Sequence, residues 1–377
     1  MDFRKIDTLD SKPSLLGYGC MRFPTKDGAI DEAQSIDLLK AAVKGGVNYF
    51  DTAYIYHDNK SEEFTGKFLK EHSGLSREEF YIATKLPLWL VKSLDDAKRI
   101  FDEQLERLQV DCIDFYMLHD LKHSRFAEMP HLGEVIDFCL QQQKEGKIKH
   151  FGFSCHDNFE GFKKLIAYRD WEFVMLYLNY MDTDPENLRM YEAAVKNNIP
   201  VLLMETVKGG SLAKLPDDIV KHFTELDKAA TPSSWAIRWA GSLPGVKVIL
   251  SGMSEMAQVE DNLTTCSGFS PMTEAEYAAI EKVKVKLRER VRNNCTGCNY
   301  CMPCALGVNI PWIFSIWNGY GIYENRGHTN WEYSCVGEGS RPHNCTECGK
   351  CNKLCPQGID IIEDLKKVSA QMEKIKW

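Results

Sequence analysis

Over roughly the first 290 positions, short apolar runs alternate with longer stretches whose apolar residues recur three and four apart. The runs at 15–20, 47–51, 80–85, 112–118, 149–154, 173–178, 200–205 and 246–251 are rich in β-branched and aromatic residues. That is the pattern of strands covered on both faces. Helical patterns at 32–44, 94–108, 132–145 and 186–196 lie between them. Gly45-Gly46 and Asn197-Asn198 mark helix ends, and Ser61-Glu62-Glu63 opens a further helix. Eight strands alternating with helices is the count of an α/β (β/α)8 barrel, usually about 250 residues long. A doubly wound sheet often carries G-x-G-x-x-G after its first strand; here Met21-Arg22-Phe23-Pro24-Thr25 stands there. Residues 274–292 read as a charged helix leading out of the barrel, its basic side chains forming a solvated face.

Polar residues gather at one end of these apolar strands, the carboxyl end, where barrels of this kind carry their chemistry. Asp51 ends the second run and Tyr56 follows it; Lys85 ends the third and His119 the fourth; the fifth runs into Ser154-Cys155-His156-Asp157. Alone, a buried Asp–Lys pair, a Tyr or a strand-end His is most often structural. Together they form a proton-transfer set. A lysine beside a phenol favours the phenolate, and an aspartate holds the lysine charged. Bringing the phenol two or three pH units nearer neutrality takes about 3–4 kcal/mol, so a lowered Tyr56 pKa is expected. His119 would align a carbonyl while Tyr56 protonates its oxygen. His57, next to Tyr56, reads as surface or loop.

DTAYIY (51–56), YIATKLP around Lys85 and DFYMLHDL around His119 resemble the catalytic tetrad of aldo-keto reductases in residue type and separation. The resemblance spans nearly all of 1–290. It implies a barrel binding an extended nicotinamide cofactor, with Tyr56 as proton donor, Lys85 and Asp51 tuning it, and His119 orienting the substrate. Ser154 and Asn179 match positions that touch the nicotinamide end. Gly209-Gly210-Ser211 and Ser251-Gly252-Met253, with Gln258 and Asn262, resemble the family's phosphate-binding segments. Cys155 and Met175 depart from the usual Asn and Gln. The loop after the eighth run offers Glu255 and Glu260 rather than a cation for a 2′-phosphate, so NADH is favoured over NADPH. Met21, Phe23, Trp89 and Leu121 are expected at the pocket, with Trp312 or Trp317 as a cover. The implied substrate is a small carbonyl or alcohol.

Composition narrows the setting. The chain has 377 residues, 44% of them hydrophobic, and a net charge of −8. This excludes a disordered chain and argues against nucleic acid or anionic lipid as partner. Every apolar stretch is interrupted well before 18 positions, and MDFRKIDTLDSKP lacks an apolar h-region. A cytoplasmic protein without membrane contact is expected.

Cysteines add a second signal. Nine of the 14 (Cys295, Cys298, Cys301, Cys304, Cys335, Cys345, Cys348, Cys351, Cys355) fall in one short stretch. Dense, regular thiols in a reducing compartment point to metal rather than disulfides. The predicted division is therefore a barrel over 1–290 and a small α-rich iron–sulfur domain over 291–377. Cys345-x-x-Cys348-x-x-Cys351-x-x-x-Cys355-Pro356 is the bacterial ferredoxin run. The run from Cys295 to Cys304 differs by a shorter last gap. Zinc competes, but each run carries a third and a fourth thiol. The segment resembles two-cluster ferredoxins, and the combination resembles iron–sulfur-containing aldo-keto reductases. By that analogy Cys295, Cys298, Cys301 and Cys355 hold one 4Fe-4S cluster, and Cys345, Cys348, Cys351 and Cys304 the other. A ferredoxin or similar redox protein is the implied partner. Nicotinamide moves two electrons together and clusters move one, so coupling them calls for a mediator such as FMN. The competing reading is an electron-transfer module whose barrel serves for docking.

Overall fold

The computed structural model describes residues 1–183 and 185–375. Eight parallel strands close into a barrel. They are β1 (Leu16–Gly19), β2 (Tyr49–Asp51), β3 (Tyr81–Pro87), β4 (Ile113–His119), β5 (Ile148–Cys155), β6 (Val174–Tyr177), β7 (Val201–Met204) and β8 (Val246–Ser251). Consecutive strands are spatial neighbours, and β8 returns to β1 with Leu16 beside Ile249. The expected (β/α)8 barrel is therefore present. Tyr49, Phe115, Met117, Phe173, Met175, Leu202 and Val248 belong to one buried cluster, which Ile6 and Leu9 of the N-terminal segment join.

Helices α1 (Glu32–Lys44), α2 (Ser61–Glu71), α3 (Leu94–Leu108), α4 (Leu132–Lys144), α5 (Phe159–Tyr168) and α6 (Pro185–Lys196) follow the first six strands. Their starts are written in side chains: Asp31 accepts from the Gln34 amide, Ser93 from Asp96 and Asn158 from Gly161. Some strands are shorter than their apolar runs. Val47, for example, is buried, yet its N–H bonds the Ala42 carbonyl at 3.0 Å, closing α1 instead of joining the ladder. A hairpin pairing Thr25–Lys26 with Ala29–Ile30 was not expected. Its signal was Asp27-Gly28, both at positive φ (53° and 83°), as a type I′ turn requires.

The chain divides into two compact units, Met1–Val207 with Ser233–Met272, and Lys208–Pro232 with Thr273–Trp377. The first also contains α9 (Met256–Cys266), and α8 (Pro232–Gly241) starts at the division. The second contains α7 (Asp217–Thr224), α10 (Glu274–Arg288), α11 (Ile310–Tyr323), α12 (Arg326–Cys335), α13 (Lys350–Leu354) and α14 (Ile361–Ile375). Its core joins Ile313, Phe314 and Trp317 of α11 to Leu365, Val368 and Met372 of α14. Trp317 is thus an internal packing residue there, not a cover for a pocket. Among the described residues no helix is long and apolar enough to cross a membrane.

Candidate functional site

Barrel closure brings the four strand-end residues together. Asp51 ends β2, Lys85 lies in β3 and His119 ends β4, with Pro87 and His119 in register. Lys85 Nζ donates to Asp51 Oδ1 at 2.5 Å and to the Thr52 carbonyl at 2.7 Å, and stands 3.5 Å from Tyr56 Oη. The His119 ring lies edge-on to Tyr56 (centroids 6.3 Å apart) and against Trp89 at 4.9 Å. No described group hydrogen-bonds His119 Nδ1. Met21 and Trp89 are exposed, whereas Phe23 and Leu121 are buried.

Lys85 is also fixed from behind. Its carbonyl accepts from Gln104 Nε2 at 3.1 Å, and Gln104 Oε1 accepts from Tyr116 at 2.8 Å. The same Gln104 amide and Thr84 Oγ1 both donate to the fully buried Glu62, at 2.7 and 2.6 Å. This network was not foreseen. Its trace in the sequence is a Glu on the buried side of α2, beside Thr65 and Phe68.

Electrostatics correct one expectation. Burial pushes the Tyr56 phenol up; Lys85 pulls it down, Asp51 opposes that pull, and the net direction is upward, not downward. Desolvation wins because the cation beside the phenol is already paired with a carboxylate. Burial acts against the Lys85 charge, yet Asp51 and Tyr56 hold the ammonium above its ordinary value. Burial, helped by Lys85 and His156, pushes His119 down to about 3. Near neutrality the site therefore holds a neutral phenol, an ammonium and a neutral imidazole.

The expected cofactor contacts divide into two kinds. Ser154 Oγ accepts from the Asp120 amide at 2.9 Å, and Asn179 Oδ1 accepts from Met181 and Asp182, so both are engaged in protein hydrogen bonds. Asn262 donates to Ser251 Oγ at 2.9 Å, Gln258 accepts from the Ser254 amide at 2.8 Å, and the buried Met253 accepts from Tyr18. Gly252 lies open. A Cβ there would stand 3.1 Å from Arg22 Cβ. The stem of Arg22, Cβ to Cδ, thus packs on the β8 loop, supplied by the loop after β1 from 230 positions away. In the second unit, Lys208, Gly209 and Gly210 form a left-handed turn that Ser211 closes by donating to the Lys208 carbonyl. The thiols of Cys20 and Cys155 are each pushed up to about 12 by burial.

The two cysteine runs fold alike. Gly297 and Asn299 in the first, and Glu347 and Gly349 in the second, take positive φ at matching places. Cys295, Cys298, Cys301 and Cys355 line one cavity with Ile310, Phe314 and Ile361. Cys304, Cys345 and Cys351 pack on the same core as Cys295, Cys301 and Cys355. The Glu347 amide donates to Cys345 Sγ at 3.4 Å. Asn293 ties the first loop to α14 through Asp364 (3.1 Å) and accepts from the Cys295 amide. Among the described residues no three His, Cys, Asp or Glu side chains close on a single ion.

Known proteins share the barrel. L-galactose dehydrogenase of Arabidopsis thaliana is 23% identical over 308 residues, covering 75% of this chain and 96% of that protein. The holo form of a Bacillus halodurans aldo-keto reductase superposes with a TM-score of 0.64 at 25% identity, over 75% of this chain and 96% of the other. A Klebsiella pneumoniae aldo/keto reductase solved with NADP and acetate gives 0.62 at 20% identity, over 75% and 96%. The model of the aldo/keto reductase family matches residues 15–285, leaving the cysteine runs outside it. The chain belongs to the aldo/keto reductase family and is an oxidoreductase.

Proposed function

We propose that the barrel reduces a small carbonyl compound, or oxidises the corresponding alcohol, with Tyr56 exchanging the proton. The observation that carries this reading is the Lys85 ammonium held between Asp51 and the Tyr56 phenol at the open end of the barrel. A phenol kept neutral by burial retains its proton until a carbonyl oxygen takes on negative charge. Lys85 then stabilises the phenolate left behind. His119, neutral and with Trp89 against its ring, orients the carbonyl. When bound, a nicotinamide supplies the hydride. The Klebsiella relative was solved with NADP, and Arg22 beside Gly252 offers a cation for a cofactor phosphate. NADPH therefore replaces NADH as the favoured reductant. Ser154, Asn179, Ser251, Gly252, Met253, Gln258 and Asn262 are the proposed contacts on the barrel. The Gly209-Gly210-Ser211 turn is a phosphate-binding proposal on its own unit.

The segment from 291 is proposed as a two-cluster module. Cys295, Cys298, Cys301 and Cys355 serve one 4Fe-4S cluster and Cys345, Cys348, Cys351 and Cys304 the other. The shared cavity of the first four thiols supports this, as do the repeated left-handed backbone and the Glu347 amide that donates to Cys345 Sγ. A four-iron cube spreads its thiolates more widely than a single ion does, which suits thiols that line a cavity without converging. Such clusters pass single electrons.

Anaerobic purification with iron and sulfide analysis tests the module, and NADPH oxidation against a panel of carbonyls tests the barrel. Tyr56→Phe is expected to lower carbonyl-dependent kcat by about 10²–10⁴-fold at unchanged iron content. Full turnover by Tyr56→Phe would remove the proton-donor assignment.

A further inference from the structure

The turn that carries Tyr56 does not support itself. His57, Asp58 and Asn59 follow it at φ 49°, 51° and 68°, three successive non-glycine residues in the left-handed region. Left-handed backbone is unfavourable for residues that carry a Cβ, and a run of three persists when neighbours hold it. Asp58 and Asn59 are exposed; His57 is half-buried. Its Nε2 accepts the Phe23 amide at 3.2 Å. It faces the Phe23 ring at 5.7 Å, and Phe23 in turn packs edge-on against Phe64 of α2 at 4.9 Å. At the far end of that turn Ser61 Oγ donates to the Cys20 carbonyl at 2.8 Å, and ahead of Tyr56 the Cys20 amide donates to the Asp51 carbonyl at 2.8 Å. The loop after β1 is thereby tied to both ends of the segment bearing the phenol.

We propose that His57 is a positioning residue. By accepting the Phe23 amide it locks the loop after β1 onto the left-handed turn, and so sets both the distance of the Tyr56 phenol from Lys85 and the place of Met21 at the pocket. The proposal rests on the reading of Tyr56 as proton donor. A residue that merely filled space beside Phe23 would be replaceable by leucine, whereas a latch needs an acceptor, which glutamine supplies.

The test uses the full-length protein with NADPH and 4-nitrobenzaldehyde as probes, alongside amide hydrogen exchange read by mass spectrometry. His57→Leu is expected to speed exchange over 20–24 and 54–60 about tenfold and to lower kcat about tenfold, with a smaller change in KM. His57→Gln is expected to restore both. Wild-type exchange and turnover in His57→Leu, or a His57→Gln protein as impaired as His57→Leu, would overturn the proposal. If the leucine chain does not fold, His57→Ala takes its place in the same comparison. Undiminished turnover in Tyr56→Phe would instead remove the proton-donor reading, while the exchange data would still report on the latch.

Discussion

The mouth of the barrel and the cysteine loops are held by different physics. Asp51, Lys85 and His119 sit on strands of a closed ladder, so backbone hydrogen bonds on both sides fix where each side chain starts. The loops around Cys295–Cys301 and Cys345–Cys351 have no ladder. They rest on left-handed residues, on Asn293 and Lys366, and on a core shared by α11 and α14. The barrel thus sets its site geometry before any ligand arrives. In the proposed cluster module, ligand binding and folding would draw on one free energy. A scaffold of the first kind tolerates loss of its ligand; one of the second kind does not.

The sharpest way to break this contrast is to treat the protein with a chelator that would strip iron from the proposed clusters. Hydrogen exchange over 293–304 and 344–356 is expected to rise by orders of magnitude, while β2 to β5 keep their protection. Equal loosening of both regions would show that the barrel needs the module's ligand. Next in size, Lys85→Met removes the cation but leaves the ladder. Carbonyl turnover is expected to fall at least about 10²-fold with a melting temperature near wild type, since the Asp51 carboxyl can take up a proton in its buried site. A smaller effect tests the support behind the lysine. Gln104→Ala leaves Glu62 and the Tyr116 hydroxyl short of partners and is expected to cost about 1–3 kcal/mol in denaturant unfolding. An unchanged unfolding midpoint would show that this network is dispensable.

The smallest effect is set by pH. His119 is pushed down to about 3 in the folded chain, against an ordinary value near 6.5 when unfolded. Between those values the unfolded chain binds the extra proton, so stability rises with pH across that window and is lost as pH falls. Solvent screening at a partly exposed ring limits the contribution to about 1 kcal/mol. The difference between wild type and His119→Asn, followed from pH 7 to pH 4, reads it directly. A constant difference would mean that the imidazole titrates normally.

Much of this was legible in advance. The eight apolar runs located the strands to within a few residues because a strand buried on both faces admits little else. The tetrad stood out because polar residues at the end of such strands have no packing reason to be there. The cysteine spacing was equally plain. His57, read as surface or loop, does lie in a turn, but its bond to the Phe23 amide was not legible, because every residue possesses a main-chain amide and no sequence pattern marks one. Arg22 was missed at the β8 loop because nothing local links it to Gly252. Glu62 passed as an ordinary first-turn acid of α2, its partners Thr84 and Gln104 lying 22 and 42 positions onward.

Periodicity and residue type, then, determined the barrel, the four candidate side chains at its mouth and the thiol runs, because each is a local property of the chain. Only the folded molecule decided the direction of the Tyr56 pKa, the packing of Arg22 on Gly252 and the gathering of Cys355 with Cys295, Cys298 and Cys301. Desolvation and distance belong to the whole arrangement of atoms, and no window of sequence contains them.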